Sequence, residues 1–244
     1  MDRRSRFGDG ASLAGLVTRG RRRPGEASSF HVWWMTSDQF APTVSVDLTV
    51  LTEPDTNDLC FWALQIGFAS SGAHLGLQWN PRHPGMIAVN FGGYHDGGGL
   101  LDGTVSTLPS TPDDPNTRDY GWQVGRSYRL SVGPAETPGW WDGWVTDLGS
   151  GEQVLVRSLE GGGSRLHDPV VWAEIFAPCD ASTAVRWARP RFGSAPVTRG
   201  RVTYQERGRG GCDNTDIRSG PGGLVQETAV QRRTRPGSVV DWPD

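Results

Sequence analysis

Residues 60–79 read CFWALQIGFASSGAHLGLQW, and this stretch decides the fold. Large apolar side chains occupy every second position of its first half, at Trp62, Leu64, Ile66 and Phe68. After a turn rich in Ser and Gly, the alternation resumes at Leu75, Leu77 and Trp79. An apolar period of two residues is typical of a β-strand that buries one face. Two such runs joined by a short turn predict an antiparallel hairpin.

The same alternation recurs along the chain, in Thr43–Val50, Met86–Phe91, Tyr128–Val132, Pro169–Ala177 and Ala184–Trp187. Trp140–Asp147 and Gln153–Arg157 predict a second hairpin. Two further runs, Gly200–Arg207 and Leu224–Arg232, alternate more weakly and are interpreted as edge strands. No stretch keeps the period of a helix long enough to predict one. The sequence therefore predicts about ten to twelve strands in an all-β, antiparallel two-sheet jelly-roll sandwich.

Composition limits the classes of partner. The chain has 244 residues, 11 of them Trp, and a net charge of −3. Trp side chains bury large apolar surfaces, which is typical of a folded chain. No stretch approaches the ~18 consecutive apolar residues that a membrane span needs, and the small net charge gives no general attraction to nucleic acid. We expect neither a membrane span nor a nucleic-acid partner, and the oligomeric state stays open.

Three regions follow from local composition: a flexible leader at residues 1–29, one sandwich domain at 30–232 and a flexible tail at 233–244. The leader contains seven Arg. Its apolar run, Ala11–Val17, is too short and interrupted to predict a convincing signal peptide. Within the domain, residues 93–121 are rich in Gly and Pro and predict a long loop, and such a loop is usually functional or mobile.

Three cysteines are present. Cys60 opens an apolar run and is interpreted as a small buried side chain. Cys179 and Cys212 lie in turn-like contexts and are candidates for one disulfide. That bond would close a loop of about 33 residues and stabilise the fold by about 3–4 kcal/mol.

Two groups of Asp and Asn are candidate calcium ligands, because calcium binds clustered oxygen atoms. They are Asp113, Asp114, Asn116 and Asp119 in the long loop, and Asp213, Asn214 and Asp216 after the last cysteine. The same residues favour turns for backbone reasons alone. We therefore expect no cofactor, with calcium as the alternative.

An aromatic surface beside an acid is the main candidate for function. Alternation places Trp140, Asp142 and Trp144 on one face of their strand. Trp172 and Glu174 similarly share a face opposite an apolar one. Aromatic rings stack on sugar rings and carboxylates accept hydrogen bonds from hydroxyl groups, so this set predicts a carbohydrate groove. The alternative is that a long loop covers this face, so that the aromatic side chains pack against protein and bind no ligand.

Paired catalytic acids are not predicted. Glu53, Asp55 and Asp58 superficially match the E-x-D-x-x-E spacing of sandwich glycosidases. Pro54 and the polar neighbours make this segment a surface turn instead. Glu174 has no acidic partner at a fixed spacing.

Several segments resemble a bacterial domain of unknown function: Phe61–Gln78, Asp119–Gly125, Tyr128–Leu130 and Gly143–Leu148. The likeness covers residues 30–192, and the use of Arg without Lys is similar to that of actinobacterial proteins. The resemblance implies a concanavalin A-like (laminin-G-like) sandwich and favours an extracellular protein. It implies no catalytic residue.

The leading hypothesis is a non-catalytic binding module for carbohydrate or glycoconjugate. The ligand contacts would be Trp140, Asp142, Trp144, Trp172 and Glu174, with Gln65 and Gln78 as secondary contacts. One alternative is a glycoside hydrolase or lyase, which needs a second acid facing Glu174. The other is a structural or protein-interaction domain whose aromatic face is buried.

Overall fold

Residues 28–205 and 211–243 are described by the computed structural model, and they form sixteen β-strands. The only helical element among these residues is a one-turn 3₁₀ segment at Pro84–Met86. No helix in this part of the chain is long and apolar enough to cross a membrane. The predicted leader lies outside the described residues, except for Ser28 and Ser29, which begin the first strand.

The strands in chain order are β1 (Ser28–Trp34), β2 (Val44–Thr52), β3 (Cys60–Gly67), β4 (Ser71–Trp79), β5 (Ile87–His95), β6 (Thr117–Asp119), β7 (Ser127–Pro134), β8 (Trp140–Asp147), β9 (Gln153–Glu160), β10 (His167–Ile175), β11 (Ala184–Phe192), β12 (Ala195–Pro196), β13 (Arg199–Tyr204), β14 (Thr215–Gly220), β15 (Gly223–Thr228) and β16 (Val239–Asp241).

These strands form two antiparallel sheets packed as a sandwich. The first sheet has the order β16-β13-β1-β10-β3-β4-β5-β6. The second has the order β14-β15-β11-β2-β7-β8-β9, and the short β12 pairs with β11. The prediction of an all-β, two-sheet antiparallel sandwich is confirmed. The two predicted hairpins correspond to β3–β4 and β8–β9.

The core lies between the two sheets and is formed by alternate residues of each strand. Trp62 on β3, Trp141 on β8 and Trp187 on β11 are among its largest fully buried side chains. Each indole can bury about 150–250 Å². Gly143 on β8 faces Phe91 of the opposite sheet, so the second sheet has no side chain at this point and the Phe91 ring occupies the space.

Residues 239–243, within the segment predicted as a flexible tail, pack against the sandwich. β16 pairs with β13 in the first sheet. Trp242 is buried, and its indole nitrogen donates a 3.0 Å hydrogen bond to the carbonyl oxygen of Trp187. This element could not be predicted from the sequence, because a three-residue strand among Arg, Pro and Gly has almost no periodicity.

The two weakly alternating segments are also placed differently from the prediction. β13 lies between β16 and β1, and β15 lies between β14 and β11, so neither is an edge strand. The long loop is shorter than the predicted range 93–121. β5 continues to His95, and β6 pairs with β5 inside that range.

A disulfide joins Cys179 to Cys212, whose Cα atoms are 5.7 Å apart. It connects the segment after β10 to the segment before β14. The side-chain amide of Asn214 also donates a 2.6 Å hydrogen bond to the carbonyl oxygen of Cys179. Cys60 is a buried thiol whose pKa is raised, chiefly by burial.

Gly143→Ala should destabilise the sandwich, because the added methyl group would overlap the ring of Phe91 across the sheet interface. Overpacking of this kind costs about 1–3 kcal/mol. Chemical denaturation measures it as a lower free energy of unfolding. Gly121→Ala is the matched control, since no atom lies within 4 Å of its added Cβ position. Equal unfolding free energies for the two variants would contradict this view of the interface.

Candidate functional site

The outer face of the first sheet carries a second set of aromatic and polar side chains. Because alternate residues of each strand point away from the core, the strand register aligns these side chains into rows. One row runs across β1, β10, β3 and β4, through Ser29, Glu174, Phe61 and Gln78. We call it the acid–amide row.

The neighbouring row has two small residues in its middle. It runs from Trp172 on β10 through Ala63 and Gly76 to Asn90 on β5. A side chain at Gly76 would overlap the backbone of β3, so only glycine fits there. Because Ala63 and Gly76 have little or no side chain, the sheet surface between Trp172 and Asn90 is low.

A groove opens above this part of the sheet. Its cavity volume is about 210 Å³. The lining residues that matter for the chemistry are Phe61, His74, Gln78, Asn90, Tyr94 and Glu174. The described lining thus offers two carboxylates, four side-chain amides, an imidazole, a phenol and a guanidinium group around aromatic rings.

The orientation of the Gln78 amide is fixed by a short relay. The backbone N–H of Arg82 donates to Oδ1 of Asn80 at 3.1 Å. The Asn80 Nδ2 in turn donates to Oε1 of Gln78 at 2.9 Å. No hydrogen bond within residues 28–205 and 211–243 uses Nε2 of Gln78. Because its oxygen is held by Asn80, the amide presents its N–H donors to the groove.

Glu174 is held by β1. The hydroxyl group of Ser29 donates a 3.2 Å hydrogen bond to Oε1 of Glu174. On the other side of the groove, burial and then the charges of Asp114 and Glu174 raise the pKa of Tyr94. The phenol thus stays protonated at neutral pH and is a hydrogen-bond donor near the carboxylate.

His74 is the neutral base of the groove. The residue is only 6% exposed. Burial lowers the pKa of His74 to about 4, against the opposing effect of a hydrogen bond with Asn90. The ring centroid lies 5.5 Å from that of Phe61 and 6.0 Å from that of Trp172. The imidazole is therefore uncharged and packed into the aromatic cluster.

The carboxylate of Asp114, the second acid that lines the groove, is hydrogen-bonded within its own loop. Oδ1 of Asp114 accepts the backbone N–H of Asn116 at 2.9 Å, and its Oδ2 accepts the hydroxyl group of Thr117 at 3.0 Å. In the described part of the chain, no group of three or more His, Cys, Asp or Glu side chains is placed to hold a metal ion. Calcium binding in this loop stays a prediction.

The aromatic surface expected from the sequence is divided between the two sheets. Trp172, Glu174, Gln65 and Gln78 lie on the outer face of the first sheet. Trp140, Asp142 and Trp144 lie on the outer face of the second, opposite the buried face of β8. Alternation assigns each residue to a side of its strand, but it does not say which sheet the strand joins.

Trp172 does not offer a stacking surface. It is 1% exposed, and its Nε1 donates a 3.0 Å hydrogen bond to Oε1 of Gln65. With Phe61, Ala63 and Val170 it forms a small apolar cluster on the outer face. On the second sheet, Asp142 accepts a hydrogen bond from the hydroxyl group of Ser158 at 2.5 Å.

His74, Asn90 and Tyr94 line the groove but were not among the residues predicted for the site. The sequence signal for His74 is present, because it shares the polar face of its strand with Gln78. Asn90 and Tyr94 lie on β5, two strands away from β3. Their proximity to Glu174 depends on the strand order, which the sequence does not specify.

No family model and no curated protein matches this chain. Among solved structures, a scytalido-glutamic peptidase with a peptide-based transition-state analogue is similar at 13% identity and TM-score 0.47, over 83% of this chain and 98% of that chain. SCP-B, an eqolisin-family peptidase in complex with the tripeptide Ala-Ile-His, is similar at 13% identity and TM-score 0.47, over 84% and 98%. At these identities the likeness concerns the fold alone.

The hypothesis of a non-catalytic carbohydrate-binding module is wrong. Its proposed contacts lie on opposite outer faces of the sandwich, so no single surface presents them. The resemblance to a bacterial domain of unknown function stays a prediction.

Acidification should destabilise the protein through His74. Its pKa falls from 6.5 to about 4 on folding, so between these values the unfolded chain binds a proton that the folded chain does not. The free energy of unfolding should therefore decrease by about 1.4 kcal/mol per pH unit on its account as pH falls through this window, and level off below it.

The measurement is urea denaturation of wild type and His74→Gln between pH 7 and pH 4. The substitution should reduce the slope of unfolding free energy against pH. His95→Gln is the control, because it replaces an exposed imidazole at the end of β5. An unchanged slope in the His74 variant would show that this imidazole does not cause the pH dependence of the unfolding free energy.

Proposed function

We propose that the groove is the active site of a hydrolase that cleaves amide bonds of polypeptides. Glu174 acts as the general base and Gln78 as the donor that stabilises the oxyanion. The carboxylate removes a proton from a water molecule, and the resulting hydroxide attacks the carbonyl carbon. As the tetrahedral intermediate collapses, the C–N bond breaks and the proton passes from Glu174 to the leaving nitrogen.

The observation that carries this proposal is the fixed amide of Gln78 in the same row as Glu174. The two residues are separated by one strand, which carries Phe61 between them. Strands lie about 4.8 Å apart, so the two Cα atoms are separated by about 10 Å. Both side chains line one cavity of about 210 Å³, in which the attacked amide group would lie.

Acyl transfer fits the groove better than glycoside hydrolysis. A glycosidase of the usual kind needs two carboxyl groups that face the scissile bond. Among the described lining residues, the other acid is Asp114, and both of its oxygens accept hydrogen bonds from its own loop. One carboxylate beside amide donors is instead suited to the attack of water on a carbonyl group.

The lining also supports a polypeptide substrate. Side-chain amides can pair with the peptide groups of an extended chain, and Gln78 provides the N–H donors of one. Apolar side chains at Leu59, Phe61, Leu100 and Phe176 lie in the same groove. We therefore expect cleavage next to apolar or aromatic residues.

Glu174→Gln should lower the rate of peptide cleavage by at least about 100-fold, the usual effect of removing a general base. The assay uses denatured β-casein between pH 3 and pH 7, with mass spectrometry of new amino termini. Glu160→Gln, which changes an exposed acid on β9, should leave the rate unchanged. No cleavage by wild type, or equal rates for wild type and Glu174→Gln, would overturn the proposal.

Asn80→Asp tests the role assigned to the Gln78 amide. An aspartate keeps the acceptor for the Arg82 N–H but offers no donor, so Gln78 should turn its Nε2 towards residue 80 and its oxygen towards the groove. We expect a fall in kcat comparable with that of Gln78→Ala, on the order of 100-fold. An active Asn80→Asp enzyme would show that Gln78 does not stabilise the oxyanion.

A further inference from the structure

A second cavity, of about 420 Å³, lies at the second sheet, away from the groove. Three of its lining residues are Arg129, Arg189 and Arg191. The remaining described lining residues are uncharged: Pro190, Pro196, Val197, Thr198, Trp242 and Pro243. The chain has a net charge of −3, whereas the lining of this cavity is positively charged.

A β-bulge in β11 creates this arrangement. Strict alternation from the buried Trp187 would turn residue 189 into the core. The register instead shifts between Ala188 and Arg191, and Arg189 adopts a φ of 47°. This left-handed conformation is costly for a residue other than glycine, and strain of this kind is concentrated at functional sites. The bulge directs both Arg189 and Arg191 outward.

Among the described residues, the carboxylate hydrogen-bonded to these arginines belongs to Asp47. Asp47 on β2 is 2% exposed. Its Oδ1 accepts a 2.7 Å hydrogen bond from Nε of Arg129, and its Oδ2 accepts one from Nε of Arg189. Asp47 thus fixes two guanidinium groups but balances only one of three charges. The described residues around the cavity retain a net charge of about +2.

Donors remain for a ligand. The side chain of Arg189 is 63% exposed and contacts Asp47 through Nε, and within the part of the chain that the structure describes no hydrogen bond uses its terminal nitrogens. Arg191 donates from one terminal nitrogen to the carbonyl oxygen of Ser194. A planar guanidinium fork with unused N–H groups matches the oxygen pairs of carboxylates and phosphates.

Apart from Thr198, the rest of the described lining is apolar. Pro190 and Val197 are buried, and Trp242 is held by its hydrogen bond to the carbonyl oxygen of Trp187. A cavity lined both by cations and by rigid apolar groups suits a small ligand that has both an anionic and an apolar part. A fully hydrated inorganic ion would use only half of it.

We propose that this cavity binds a small organic anion, whose carboxylate or phosphate group contacts Arg189 and Arg191 and whose apolar part lies against Trp242. This site is independent of the proposed hydrolytic groove. Asp47 is a positioning residue, because it orients the guanidinium groups without reaching the ligand.

Calorimetric titration with phenyl phosphate, benzoate and inorganic phosphate tests the proposal. We expect both aromatic anions to bind more tightly than inorganic phosphate, and the tighter of the two identifies the anionic group. Arg189→Gln/Arg191→Gln should weaken this binding at least tenfold. Arg165→Gln, which changes an exposed arginine outside the cavity, should leave it unchanged.

The single variant Arg191→Gln distinguishes a loss of binding from a loss of folding. It keeps the contact of Arg189 with Asp47 and should still weaken binding. Its unfolding midpoint should equal that of wild type. The proposal is overturned if no anion binds at millimolar concentration, if inorganic phosphate binds as tightly as phenyl phosphate, or if the double variant retains wild-type affinity.

Discussion

Burial of the two inner sheet faces against each other is the constraint on which the rest of this molecule depends. Each strand has side chains pointing both ways, so a tightly packed interior forces the intervening residues onto the outer faces. Trp62, Trp141 and Trp187 occupy the interior. The acid–amide row and the arginine cavity are what this arrangement places outside.

The strand pattern could be predicted because it is local. In Phe61–Gln78 the spacing of apolar residues by two specifies a hairpin and its buried side without knowledge of any other segment. The same reasoning correctly placed Trp172 and Glu174 away from the core. It failed for Trp140, because the side of a strand is a local property, whereas the choice of sheet depends on the pairing of distant strands.

The chemistry of both cavities depends on such distant pairings. The contact between Ser29 and Glu174 joins residues 145 positions apart, and that between Arg189 and Asp47 joins residues 142 apart. Hydrogen-bond partners at these separations leave no periodicity in the sequence. The bulge at Arg189 is hidden for a related reason, since one inserted residue in a strand resembles ordinary loss of alternation.

The position of β1 governs how the chain can fold. Its neighbours are β10 and β13, with side-chain contacts across separations of 145 and 170 residues. A nascent chain on the ribosome therefore exposes this apolar strand until most of the polypeptide has been synthesised. Topologies dominated by such long-range pairing reach the native state slowly. During that interval the unpaired strand is a target for chaperones and a site for aggregation.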